Sequence, residues 1–375
     1  MDEDAHADEL IEGPRGRRML WELAARADES VHAVAWGVVR DLERSGGVAF
    51  GFATGWGGSP AARPADTAAG VAAHLAAAAD DLVLRPGTLG AALTASVDAA
   101  RPWQEPDGTD LMLADPIFDE ALRTVAERVG RMPEAAWLWH PLAAPQFVTG
   151  FFYDDPETRE RRVPERPEPA TTGARLAGWR SRAELDEAQF ARHAANYPGQ
   201  PLSGAWWALP MYSGVWSTAE LGAAGPAALH FLEDSMGEEH ARVWPARARA
   251  GARVLEIAGP ADWAELCRRH PFDVTASRRQ VWGLATGRDG RWVLPDWPAV
   301  AAEWDAVHVT GAAYLRAAER AIAVEDAEAA GVEDAAATVL AGWAPGATVW
   351  LTDALEVTGA PVDWRLEDEL WSPLV

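Results

Sequence analysis

Asp296-Trp297-Pro298-Ala299-Val300-Ala301-Ala302-Glu303-Trp304-Asp305-Ala306-Val307-His308-Val309-Thr310 carries, side by side, the two periodicities from which the fold class follows. Asp296-Trp297-Pro298 leads a helix in which Trp297, Val300, Ala301 and Trp304 share one apolar face. Residues 306–310 then form a short apolar run that reads as a strand. Outward from this stretch the same mixture continues. Strand-like runs fall at 205–209, 215–218, 229–232, 254–257, 338–340 and 348–351. Gly259-Pro260 leads a short helix with Trp263, Leu266 and Cys267 on one face, stopped by Pro271, and residues 314–322 read as another. Short strands with scattered helices indicate an α+β arrangement rather than repeating βαβ units.

The first half reads as mostly helical. Leu20, Leu23, Ala24, Ala27, Val31, Val34, Ala35 and Val38 recur at helical spacing, with Gly37 weakening the stretch so that it reads as one or two elements. Val71, Leu75, Ala78 and Leu82 mark a further helix, Thr88 caps a third, and Phe118, Leu122, Val125 and Val129 stripe a fourth opened by Asp115-Pro116. Short strands are expected around residues 48–52 and 147–152. Residues 154–176 crowd proline and charge and lose large apolar side chains, which predicts a linker. The expected organisation is a mostly helical domain over 1–153, a linker over 154–176 and an α+β domain over 177–375. Ser181-Arg182-Ala183-Glu184 has capping-box form and predicts a helix after it.

Composition limits function. The net charge of −24 repels phosphate backbones and anionic lipid, so non-specific nucleic-acid or membrane binding is not expected; a cationic partner suits it. No apolar run is long enough for a membrane span, and the acidic start MDEDAHADELIEG lacks the pattern of a secretory signal, so a cytoplasmic location is expected. The one cysteine, Cys267, allows no intrachain disulfide and reads as a core residue. All 33 basic residues are arginine. Without lysine there is no Walker-A loop and no pyridoxal-phosphate Schiff base. The twenty tryptophans are expected chiefly in cores and pocket walls.

Metal spacings are missing: there is no HExxH and no CxxC, and Glu238-Glu239-His240 places neighbours that do not converge on a helix, so no metal site is expected. Gly55-Trp56-Gly57-Gly58 is glycine-rich without matching GxGxxG. Three other stretches concentrate polar chemistry. Gly13-Pro14-Arg15-Gly16-Arg17-Arg18 sets arginines at a helix start, where anions bind. Arg101-Pro102-Trp103-Gln104-Glu105-Pro106-Asp107-Gly108 is a proline-stiffened loop able to line a pocket. Thr275-Ala276-Ser277-Arg278-Arg279 puts hydroxyls beside two arginines, a second candidate anion site. Each also has a plain reading, a solvated helix start, a turn with a tucked tryptophan or an exposed loop, and for the first two stretches the plain reading is the favoured one.

In the second half, Gly214-Val215-Trp216-Ser217-Thr218 ends a strand in paired hydroxyls. It is followed in order by Arg253-Val254-Leu255-Glu256-Ile257, Asp296-Trp297, Trp304 to Thr310, Ala341-Gly342-Trp343 and Thr348 to Leu351. This order resembles actinobacterial proteins with an ADP-ribosyltransferase-like core. The resemblance covers residues 203–352. It implies an NAD-utilising transferase in which Trp216, Ser217 and Thr218 wall the nicotinamide and Trp206 belongs to the preceding strand, where the family places an Arg or His that grips NAD. The family's catalytic glutamate would fall between Gly342 and Leu351, where this chain has no carboxylate. Glu233 and Asp234 are the substitutes if folding brings them alongside, with Glu233 the leading carboxylate and Ser217 the other catalytic candidate. The competing reading is a non-enzymatic, immunity-type protein whose acidic, tryptophan-rich surface holds a basic protein.

Overall fold

The computed structural model describes residues 3–45, 67–80, 82–85, 87–152, 163–200, 202, 204–211, 213–325 and 335–374. The strand expected at 48–52, the Gly55 to Gly58 turn and residues 154–162 of the expected linker lie outside them. The first helices are α1 (Glu3–Glu12), α2 (Pro14–Ala27) and α3 (Ser30–Ser45). Their periodicity is continuous in sequence, yet the helix breaks at Asp28, whose carboxylate accepts the Ser30 amide at 2.9 Å. An Asp that bonds its own downstream backbone competes with helical bonding there. The helices α4 (Ala68–Asp80) and α5 (Thr88–Asp98) follow, then α6 (Gly108–Leu113) and α7 (Asp119–Gly130). The helix α5 is entered through Gly87 at φ +83°, so Thr88 is its first residue and not its cap. Asp107 caps α6 by accepting the Asp110 amide at 2.8 Å.

A mixed sheet covers the rest. Its strands are β1 (Gln146–Phe151), β2 (Val215–Ala219), β3 (His240–Ala248) and β4 (Val254–Ile257). Two helices, α8 (Thr172–Ala177) and α9 (Trp179–Asn196), come between β1 and β2. After β4 come α10 (Pro260–Arg269), β5 (Pro271–Asp273), α11 (Thr275–Thr286), β6 (Val293–Pro295), α12 (Trp297–Glu303), β7 (Ala306–Val309) and α13 (Gly311–Ala317). The chain closes with β8 (Ile322–Ala323), β9 (Ala337–Thr338), β10 (Ala347–Trp350), β11 (Leu355–Val357), β12 (Val362–Glu367) and β13 (Leu370–Pro373). The main sheet runs β13-β12-β3-β1-β2-β10-β7-β4, with β11 also on β3. Its pairs are antiparallel except β4–β7, so the fold is α+β.

The strand β1 precedes residues 154–176 but lies between β2 and β3, which follow them. One apolar core likewise runs from Ala7 to Leu351, joining Leu20 and Leu122 of the early helices to Trp263, Trp297 and Trp343 of the later half. Sheet and core are thus continuous across the expected boundary, and the packing among the described residues shows no division there. Linker-like composition says that a segment is solvated, not that the segments on either side part company. Among the described residues, seven tryptophan side chains, at 21, 263, 282, 292, 297, 343 and 350, are fully buried. Trp263, Trp297 and Trp343 contact one another at 5.9–6.4 Å between ring centroids, the separation of tilted and edge-on aromatic pairs.

Three local expectations are corrected. Residues 205–209 are not a strand: Trp282, Arg278 and Trp297 side chains donate to the carbonyls of Trp206, Trp207 and Ala208, so these backbone groups are satisfied outside any ladder. Residues 229–232 are not a strand either; Pro226 precedes a single 3-10 turn over Ala227–Leu229. Ser181 lies inside α9, which starts two residues earlier at Trp179, so the capping-box pattern marks no helix start.

Candidate functional site

The residues expected to form one pocket fall into two places. In β2 the side chains alternate between faces of the sheet. Val215 packs with Trp350 and Val148 on one face, while Trp216 packs on the main core on the other, against Trp343 at 5.8 Å. Ser217 shares the face of Val215. It is buried, donates to Gln146 Oε1 at 2.6 Å and accepts from the Trp350 indole at 2.8 Å. Thr218 accepts the Ala228 amide at 3.1 Å. These hydroxyls are occupied within the fold, and Ser217 points away from Trp216. Ser217→Ala should therefore cost about 1–3 kcal/mol in a urea melt, because it strands the buried Trp350 N–H and the Gln146 carbonyl. An unchanged melt would mean that the Gln146–Ser217–Trp350 chain contributes nothing to stability.

Glu233 bonds to neither of these hydroxyls, and the fold brings unexpected neighbours to it. Thr310 caps α13 by accepting the Ala313 amide, which sets Tyr314 one turn in. The Tyr314 hydroxyl donates to Glu233 Oε1 at 2.9 Å, and the Gly342 amide donates to Oε2 at 2.5 Å. Gly342 has φ +79°, and a β-carbon on it would sit 2.9 Å from both Trp207 Cβ and Leu209 Cδ2 and 3.5 Å from Trp206 Cζ3. Glycine is thus required there, and it lets Trp206 and Trp207 approach the segment that holds Glu233. Burial pushes the Glu233 carboxyl up to about 8, with the nearby Glu319 adding to it. Such a group is largely protonated at neutral pH. It can donate a proton, but it does not offer the negative charge that an oxocarbenium-like centre requires.

Two of the polar stretches singled out in the sequence meet beside Glu233. Arg15 is fully buried and pairs with Asp110 and with Glu319, the latter at 2.8 Å; its Nη1 donates to the Ser96 carbonyl. Arg17 pairs with Asp119, and Arg18 with Glu22 and Asp107. The basic run at residues 13–18 therefore spends its charge on the protein's own carboxylates rather than on an external anion. The loop after α5 joins the same cluster. The Arg101 amide donates to Glu319, and the Trp103 indole donates to Asp234 at 3.0 Å. Glu319 sits at φ +60°, a conformation uncommon for a residue with a β-carbon. Its carboxyl is pushed up to about 7, because burial and the charges of Asp110 and Asp107 outweigh Arg15.

The third stretch borders a cavity. The helix α9 crosses α11, and beneath it lies a space of about 200 Å³ whose lining includes Trp179, Arg182, Asp186, Trp207, Met211 and Arg278. Arg278 is only 7% exposed. Its Nη1 donates to Ser277 Oγ at 2.7 Å and its Nη2 to the Trp207 carbonyl at 3.2 Å. The buried Nε has no hydrogen-bond partner among the described residues. Burial lowers the guanidinium to about 10, partly offset by Glu187 and Asp186, so it is charged at neutral pH. The start of α11 is already served: Glu187 accepts the Ala276 and Ser277 amides at 2.9 and 3.2 Å. A helix-start signal is legible in Thr275 to Arg279; that a glutamate 89 residues earlier occupies it is not.

Cys267 is a buried core residue whose thiol burial pushes up to about 12, far from nucleophilic poise. No group of three His, Cys, Asp or Glu side chains among the described residues is placed to hold a metal ion, and no helix among them is long and apolar enough to cross a membrane. No family model matches this chain, and neither a curated protein nor a solved structure matches it.

Proposed function

We propose that this protein binds a small organic anion in the cavity beneath α9, with Arg278 as the group that holds it. The observation that carries this reading is a buried guanidinium, charged at neutral pH, set in the wall of a space flanked by Trp179 and Trp207. A buried charge without a close counter-ion is costly, and a carboxylate in the cavity would recover part of that cost. Aromatic walls with a few polar groups are the usual make-up of a small-ligand site. Calorimetry with a panel of small carboxylates tests it. Binding at millimolar concentration or better is expected, weakened about tenfold or more by Arg278→Gln, as a charge-assisted bond is worth roughly 1.5–3 kcal/mol. Equal binding by the variant, or none by the wild type, ends the proposal.

A second reading keeps NAD as substrate of an ADP-ribosyltransferase-like enzyme. It is favoured by one observation: Glu233 rests on the amide of Gly342, at the edge of the segment where the resemblance calls for a carboxylate, and near Trp206. Because the Glu233 carboxyl ionises only at about 8, cleavage of NAD would be confined to alkaline pH and lost in Glu233→Gln. NAD included in the same calorimetric panel decides whether this reading survives; no binding at millimolar NAD removes it.

A further inference from the structure

Resting on the anion reading, we propose that the ligand is a zwitterion of α-amino-acid type, its carboxylate on Arg278, its ammonium beside Asp186 and its side chain against Trp207 and Met211. The charges around the cavity are of both signs. Arg278 is the buried cation, and Asp186 and Glu187 lie close enough to act on its guanidinium. Glu187 is committed to the α11 amides, whereas Asp186 has no ion-pair or hydrogen-bond partner among the described residues. The lining carries two cations, Arg182 and Arg278, and two carboxylates, a balance that suits a ligand bearing both charges. Burial also raises the Glu187 carboxyl, a cost that a neighbouring ammonium would relieve.

Size and wall chemistry agree with this class. About 200 Å³ suits a small ligand rather than a drug-sized one. It lies below the roughly 300–1,000 Å³ of drug-sized sites. Beyond the charges, Leu209, Met211 and Leu294 give the cavity an apolar side, so an apolar side chain is favoured over a polar one.

The test is calorimetry on the full chain with three related probes: L-leucine, 4-methylpentanoate (no amine) and isopentylamine (no carboxylate), repeated with L-phenylalanine, 3-phenylpropionate and 2-phenylethylamine. At least one amino acid should bind about tenfold or more tightly than both of its truncated relatives. Asp186→Asn, on the exposed side of α9, should reduce that amino acid to the level of its deaminated relative, which the variant should bind no more weakly than the wild type does. If the deaminated acids bind as well as the amino acids, the zwitterion is overturned and the anion reading stands. If the acids and the amino acids all fail to bind, both fall. An Asp186→Asn variant that still prefers the amino acid overturns the assigned ammonium site.

Discussion

Glu233→Gln is expected to be more stable than the wild-type protein at pH 8, by about 4 kcal/mol. The carboxyl ionises near 4.5 when exposed and at about 8 in the fold. Below pH 4.5 both states hold the proton, so nothing is lost. Between pH 4.5 and 8 the unfolded chain releases it while the folded chain retains it, and wild-type stability falls as pH rises through that window. Glutamine cannot ionise. Its carbonyl can accept from Gly342 and its amide can donate to the Tyr314 hydroxyl, keeping both contacts. Urea denaturation of the two proteins at pH 5 and pH 8 should give curves that diverge with rising pH. Glu319, raised to about 7, leaves a shallower slope in the variant. Parallel pH dependences would show that Glu233 is ionised within the fold.

The second large effect is at Arg15. Replacing it with leucine should cost about 3–5 kcal/mol, the penalty for leaving the buried Glu319 carboxylate without its cation, while Asp110 keeps Arg18. Arg15 lies on α2, while its partners come from α6 and from the residues after α13, so the loss falls on the contact between the early helices and the later half. Arg17→Leu is the control. Its one carboxylate partner, Asp119, is about half exposed and stays solvated when Arg17 is removed, so the loss should be smaller than at Arg15, with what remains reflecting the bonds Arg17 donates to the Ile11, Leu113 and Asp115 carbonyls. The double variant Arg15→Leu/Glu319→Gln should recover part of the loss, since one stranded charge is then gone. An Arg15→Leu midpoint no lower than that of Arg17→Leu would show that the cluster is solvated rather than buried.

Local periodicity located much of the secondary structure. Val254–Ile257 is β4 as read, 215–218 and 348–351 fall on β2 and β10, and Trp263, Leu266 and Cys267 do share the buried face of α10. The misses have particular causes. β3 went unread because Pro245 interrupts it. Pro245 is tolerated there although β3 lies between β1 and β12. The run at 205–209 has strand composition, but three side-chain donors take its carbonyls.

The candidate site was legible only in pieces. Arg15, Trp103, Asp107 and Arg278 each stood out as polar or aromatic groups in promising local settings, but their partners come from far along the chain. Glu319 lies 218 residues from the Arg101 amide it accepts, and Glu187 lies 89 from the amide of Ala276. The sequence by itself determined the α+β class, the tryptophan-built core, the lack of lysine chemistry and the acidic surface, because these depend on composition and on spacings within a few residues. Tertiary structure alone decided that β1 enters the sheet between β2 and β3, that Ser217 and Trp216 lie on opposite faces of that sheet, and that Arg278 keeps one N–H unpartnered. Each of those depends on which distant groups satisfy a buried polar atom, and that is settled only when the chain closes on itself.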